Sequence, residues 1–149
     1  MAEDPIPGFE FVEDPARIDR DLVYGFLSET YWAGGIPREI CDAAIDGSVP
    51  FGLIERSTGA QVAFARLVTD RATFAWLADV FVVESHRGQG LGKVLVDTIV
   101  DLPWLVGMRR VLLATADAHS IYERAGFSPL AYPARFMEKL DRRYYAGPE

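Results

Sequence analysis

Cysteine and histidine are scarce in this chain of 149 residues: there is one cysteine, Cys41, and two histidines, His86 and His119. A lone cysteine excludes an intrachain disulfide and fits a reducing cytoplasm, the expected compartment. So few soft ligands, far apart in sequence, give no metal-ligand spacing. No apolar run approaches the ~18 residues that would suggest a membrane span. The start, MAEDPIPGFEF, has neither the basic end nor the apolar run of a signal peptide. Positive charge is also short. Fifteen Lys and Arg stand against 22 Asp and Glu, a net charge of −7 that argues against a general nucleic-acid binder. Repeats, low-complexity tracts and linkers are absent, so one domain spanning 1–149 is expected, long enough to bury a core.

Half the residues are apolar and a quarter are charged, ordinary for a globular protein. The charge is uneven: residues 1–50 hold 11 acids and 3 bases, the rest 11 and 12. Solubility accounts for this imbalance. The sharper reading is an acidic first third that attracts a cationic substrate.

The periodicity alternates between strand and helix. FEFVE (9–13) reads as a strand. Ile18, Leu22, Phe26 and Leu27 make a helical stripe that Asp14 with Pro15, or Asp19, can start. A second short helix follows, with Pro37 in its first turn, a stripe of Ile40, Ala44 and Ile45, and Gly47 at its end. VPFGLIER (49–56) and AQVAFARLVTD (60–70) read as a hairpin. TFAWLADVFVV (73–83) reads as a strand too apolar to face water on either side. Leu91, Val94, Leu95, Ile99 and Leu102 share one helical face, RRVLLAT (109–115) is a strand, and DAHSIYERAGF (117–127) is a short helix. FSPLAYPARFMEKL (127–140) reads as two final strands. The expected architecture is α/β (α+β): a mixed, mostly antiparallel sheet of about seven strands flanked by helices.

Between the apolar strand and the next helix lies ESHRGQGLGKVL, with Gly88, Gly90 and Gly92 at every second position. The first amides of a helix have no intrahelical acceptor and carry the positive end of its dipole. A glycine-rich turn there suits a phosphate or pyrophosphate. Arg87 and Lys93 add positive charge at either end. The P-loop pattern fails, because Arg87 stands where its first glycine belongs and Val94 follows Lys93. The dinucleotide fingerprint fails as well, because Lys93 stands at its third glycine. Arg87, Gly90 and Gly92 do meet [RQ]-x-x-G-x-[GA]. About 30 residues on, Ala118, Tyr122, Gly126 and Phe127 meet A-x-x-x-Y-x-x-x-G-F.

On these two motifs and the order of elements, the chain resembles the GNAT superfamily of acyl-CoA-dependent N-acyltransferases over nearly its whole length. It is most similar to the small stand-alone bacterial members. The resemblance implies acetyl-CoA as acyl donor and no metal, with its pyrophosphate on the stretch Arg87, Gly88, Gln89, Gly90, Leu91, Gly92 and Lys93. It implies that strand 73–83 splays from strand 109–115 and that the pantetheine arm pairs with backbone near Phe81, Val82 and Val83. The family often has Asn seven residues before the tyrosine. Here Thr115 stands there, and its hydroxyl can substitute. His119 is placed near the same cosubstrate, a surface cap being the alternative.

The implied reaction is direct attack of a neutral amine on the thioester, so no enzyme nucleophile is needed. Cys41, expected on a surface helix, is then packing or incidental. An alkylammonium of pKa ~10 must first lose its proton, and a carboxylate can take it, often through water. Asp79, within the most apolar strand, must be paired or face a cavity. It is the base or substrate anchor, or a structural partner to an arginine such as Arg66. A backbone N–H near Val82 can hold the oxyanion. Tyr122, matching the family tyrosine, is the acid for the departing thiolate, unless its ring only packs against CoA. Tyr31 and Trp32 wall the acceptor pocket or belong to the core. Asp70 and Glu84 read as turn and cap residues, and His86 as a solvated loop residue.

The expected activity is therefore transfer of an acetyl group from acetyl-CoA to a primary amine. The acceptor is a small molecule, a polyamine or a protein amino group, and neither nucleic acid nor membrane is a partner. A non-catalytic acyl-CoA-binding sensor is the alternative. Homodimers are common in the family, though no interface can be named from the sequence.

Overall fold

Alternating apolar residues build one sheet in the computed structural model, which describes residues 3–143 and 145. Its strands are β1 (Phe9–Val12), β2 (Val49–Glu55), β3 (Gln61–Thr69), β4 (Phe74–Val82) and β5 (Arg110–Leu112), lying side by side in chain order. The first four are antiparallel and β5 runs parallel to β4. A parallel step needs a long crossover, and helix α3 (Leu91–Val100) provides it. Helices α1 (Arg20–Leu27) and α2 (Arg38–Asp46) lie between β1 and β2, and α4 (His119–Arg124) follows β5. Among the described residues no helix is long and apolar enough to cross a membrane.

Both aspartates named as helix starts cap a turn. Asp14 accepts from the Ala16 amide at the 3-10 turn Pro15–Arg17, and Asp19 accepts from the Leu22 amide at α1. The buried stripe of α2 is Cys41 and Ile45, while Ile40 is exposed. Cys41 is thus a core residue and not a surface one. Burial pushes its thiol up, which suits an inert packing role. In α3 the buried face is Leu91, Leu95, Val96 and Ile99, with Val96 taking the place expected of Val94.

Each face of the sheet carries its own core. Leu91, Leu95 and Ile99 of α3 pack with Phe51, Leu67, Ala75 and Leu77 on one side. Val23, Leu27, Cys41 and Ile45 of α1 and α2 pack with Phe64 and Phe81 on the other. β4 is not buried on both faces, because Phe74 and Trp76 are exposed. The two strands expected over 127–140 do not form. That stretch holds only the 3-10 turn Pro133–Arg135, so the sheet has five strands among the described residues. Pro129 and Pro133 remove ladder donors there.

Asp70 organises the turn from β3 to β4. Its Oδ1 accepts from the amides of Ala72, Thr73 and Phe74, and its Oδ2 from the Thr73 hydroxyl. The Thr73 hydroxyl first, then the amides, hold this carboxyl well below the usual carboxylate range. The folded pKa lies below the unfolded value of about 3.9, so the stabilisation is complete above that value. It is lost as pH falls through the folded pKa. Asp70→Ala is expected to lower Tm at neutral pH, with the gap to wild type closing progressively below about pH 4. Thermal melts across the acid range check this.

Candidate active site

A bulge in β4 opens the site. The pairing runs Phe64 with Phe81 and then Arg66 with Ala78, so Ala65 alone faces Asp79 and Val80. Asp79 takes φ +55, a left-handed conformation that aspartate tolerates better than most side chains. The extra residue reverses the alternation. Ala75 and Leu77 face α3 before the bulge, and Val80 and Val82 face it after. Phe81 turns to the α1–α2 side and stacks on Phe26 at 3.9 Å. β5 stays with β4 only at Phe74, Ala75 and Trp76, which leaves the edge of β4 from Leu77 to Val82 without a neighbouring strand.

The gap is a cavity of about 600 Å³. Tyr31, Trp32, Asp79, Thr115 and Tyr122 all line it. Five residues named from sequence are thus brought together from four separate segments. Trp76, Ile36 and Asp117 line it too and were not singled out. Trp76 escaped because simple alternation sets it on the opposite face from Asp79, and the bulge restores it to the same one. On the other side of Tyr31 and Trp32 lies a second cavity of about 640 Å³, with Phe26, Glu29, Glu84 and Arg87 in its wall.

Each carboxylate oxygen of Asp79 has one partner. Its Oδ1 accepts from the Trp32 indole N–H at 2.8 Å and its Oδ2 from Arg66 Nε at 2.7 Å. Arg66 also donates to the Ser48 hydroxyl at 3.0 Å. The pairing with Arg66 read from sequence is present, and the indole bond adds a purpose to it. It fixes Trp32, on the loop after α1, against the β4 bulge.

Tyr122 stands on α4 with its ring edge-on to Phe127 at 6.0 Å. Its hydroxyl makes no hydrogen bond among the described residues. Burial first, then Tyr31 and Asp117, push the phenol up, so it stays protonated through neutral pH. The Thr115 hydroxyl accepts from the Ala118 amide at 3.1 Å, leaving its proton free to donate. His119, at the start of α4, is exposed and lies beside a smaller groove along β5 rather than in the main cavity.

The glycine stretch opens α3 as expected. Gly88 and Gly90 have φ +84 and +77, and a Cβ on either would meet no protein atom within 4 Å. These backbones need glycine, and the space a side chain would fill is open. No side chain caps α3 at Gly90, so the amides of Leu91, Gly92 and Lys93 have no intrahelical acceptor. Gln89 is exposed on the same turn. Arg87 Nε donates to the Val82 carbonyl at 3.3 Å, and Lys93 pairs with Asp97.

Of the three positions named for an extended partner, Phe81 and Val82 in β4 and Val83 just beyond it, Val82 is the one whose N–H is open among the described residues. Val83 donates its amide to the Val62 carbonyl and accepts at its own carbonyl from His86, so both its groups are spent. Adjacent strand residues aim opposite ways, which turns Val82 to the gap. His86 is not a solvated loop residue. Its Nε2 lies 3.0 Å from Glu55 Oε2, its Nδ1 lies 2.8 Å from the Ser85 hydroxyl, and its ring meets Phe9 edge-on. That contact ties the 3-10 turn Glu84–His86 to the sheet just before the glycines.

Residues 49–129, more than half of the chain, match the model of the acetyltransferase (GNAT) domain. The chain belongs to the GNAT acetyltransferase family. A GNAT-family protein of Xanthomonas campestris pv. campestris, assigned as an acetyltransferase, has a crystal structure 43% identical in sequence. It superposes with a TM-score of 0.89 over 95% of this chain and 99% of that one. A Gibberella zeae protein, FG08082, assigned as an acetyltransferase, is 30% identical over 128 residues, 73% of this chain and 72% of its own. Glucosamine-6-phosphate N-acetyltransferase of Arabidopsis thaliana shares the fold at 21% identity. Its TM-score is 0.63 over 89% of this chain and 97% of that one.

GNAT acetyltransferases generally use acetyl-CoA, and the residues of this GNAT domain fit such a cosubstrate. The open glycine turn and three free amides suit its diphosphate, and the vacant edge at Val82 suits an amide-bearing arm. Among the described residues no group of three or more His, Cys, Asp or Glu side chains is placed to hold a metal ion.

Proposed function

We propose that the protein is an N-acetyltransferase that moves an acetyl group from acetyl-CoA to a primary amine by direct attack. One observation carries this reading. A protonated Tyr122 hydroxyl that makes no hydrogen bond among the described residues lines a cleft with Asp79 and Val80 of the β4 bulge, and the same strand runs on to the glycine turn that opens α3. Acetyl-CoA supplies the thioester. The amides of Leu91, Gly92 and Lys93, with Arg87 beside them, hold the diphosphate. Val82 pairs the arm and offers its N–H to the developing oxyanion, and the Thr115 hydroxyl donates to the arm. Tyr122 gives its proton to the leaving sulfur.

Asp79 handles the acceptor. Each of its oxygens has spent one lone pair on Trp32 or Arg66 and keeps another. It can therefore anchor the ammonium or take its proton through water. Tyr31 and Trp32 supply aromatic walls that suit a cationic amine, in keeping with the acidic first third. A small amine, a polyamine and a protein amino group all satisfy this chemistry.

The test is a thiol-release assay with purified protein, acetyl-CoA and a panel of amines. Acceptor-dependent release of CoA supports the proposal. Tight acetyl-CoA binding with no turnover on any amine replaces it with a sensor role. Asp79→Asn is expected to lower kcat/KM for the acceptor by about tenfold or more, with KM for acetyl-CoA little changed. Steady-state kinetics with each substrate varied in turn separate the two effects.

A further inference from the structure

Besides Tyr122, four aromatic residues line the main cavity: Tyr31, Trp32, Trp76 and Tyr145. Tyr31 is 66% exposed and the other three 36–37%. Rings that stay this open around one cavity mark a ligand surface rather than core.

Each ring is placed by a different device. Trp76 is paired on both sides in the sheet, with Val68 of β3 and Leu112 of β5. It is the last β4 residue that β5 accompanies, so it stands at the joined end of the gap. Trp32 is fixed by its indole bond to Asp79, and Tyr31 stands edge-on to it at 5.0 Å. Tyr145 returns from the far end of the chain to Gly35. A Cβ on Gly35, at φ +80, would lie 2.9 Å from the Tyr145 carbonyl oxygen, so glycine lets the two backbones meet.

Charge is sparse by contrast. The charged residues in the wall are Arg66, Asp79 and Asp117, one base against two acids among the described residues. The lining residues from the acidic first third are all uncharged. Arg66 already neutralises Asp79. The cavity therefore balances one ammonium. A polyamine brings further charges with no carboxylate to meet them, and Arg66 repels them. A lysine side chain brings no π-face to the four rings.

Given transfer to a primary amine as proposed above, on which this rests, we infer that the acceptor carries one positive charge and an aromatic ring on a short alkyl tether. The ammonium meets Asp79 beside Trp32, and the ring lies among Tyr31, Trp76 and Tyr145. Trp76 and Asp79 are three residues apart on β4, no more than about 10 Å along the strand, so a short tether reaches both. In the transfer the amine nitrogen bonds the acetyl carbon and the carbon–sulfur bond breaks. Tyr122 protonates the sulfur. Of the two protons the ammonium gives up, one leaves to solvent past Asp79 and one restores Tyr122.

Two measurements on the full chain test this: steady-state kinetics with acetyl-CoA, and amine titration of the CoA-bound protein followed by tryptophan fluorescence. The probes are 2-phenylethylamine, 2-cyclohexylethylamine, spermidine and an unstructured lysine peptide. The phenyl amine is expected to exceed spermidine and the peptide in kcat/KM by about tenfold or more, and the cyclohexyl amine by about threefold or more. Binding should follow the same order. Trp76→Leu should bring the phenyl and cyclohexyl amines to within about twofold of each other by raising KM for the phenyl amine. Tyr145→Leu, at an exposed position, should shift that ratio the same way. Binding in this order without turnover would uphold the class of amine and overturn the transfer. Turnover that favours spermidine or the peptide, or that treats the phenyl and cyclohexyl amines alike, would overturn the class and leave the transfer standing. No binding of any of the four would overturn the class as well.

Discussion

Gly90→Val is expected to weaken acetyl-CoA binding by about a hundredfold, roughly 2.8 kcal/mol, while the fold persists. Gly90 sits at φ +77 with no protein atom within 4 Å of an added Cβ, so the substitution makes no clash. Its cost is conformational. A β-branched residue is a severe outlier in the left-handed region. If the turn keeps its shape, the side chain fills the space meant for the anion. If it relaxes to negative φ, the amides of Leu91 to Lys93 lose their common aim. Both routes remove the cradle and spare the Leu91, Leu95, Val96 and Ile99 face beneath it. Calorimetric titration with acetyl-CoA measures the loss. Circular dichroism and a Tm shift of no more than about 8 °C would show that the fold is retained.

Tyr122→Phe is expected to lower kcat by about a hundredfold, the lower end of what a positioned general acid contributes. Acetyl-CoA binding should change little, because the ring and its contact with Phe127 remain. Equal losses in kcat and in kcat/KM would mark an interaction made only in the transition state. The pH profile separates this role from mere packing. Burial holds the phenol above its ordinary value of about 10, so wild-type kcat should keep a fall at high pH that reports its ionisation. In the phenylalanine variant that fall should vanish. A packing role would leave kcat within a few-fold and the profile unchanged.

The glycine turn was legible in the sequence because its chemistry is local. Three glycines between a strand and a helix have few other uses, and both Gly88 and Gly90 prove to hold positive φ. The helix starts at Asp14 and Asp19 were legible for the same reason. The gathering of Tyr31, Trp32, Asp79, Thr115 and Tyr122 around one cavity was legible only through the resemblance, since it spans four segments. What escaped depends on partners across the sheet. The bulge at Asp79 is a property of the β3–β4 register, and nothing in LADVFV alone fixes where alternation reverses. Its consequence, Trp76 on the same side as Asp79, was therefore missed. His86 looked solvated because Glu55, its partner, is 31 residues away. The last two strands failed for a related reason: a strand needs an edge to pair with, and 127–140 joins no strand of the sheet among the described residues.

The diphosphate site is the most direct point of decision. Titration of the wild-type protein with CoA and with pantetheine compares a ligand that carries the diphosphate with one that does not. The account predicts that CoA binds at least about a hundredfold more tightly, and that most of this advantage disappears in Gly90→Val. Equal affinities for the two ligands, or no binding of CoA at all, would contradict it.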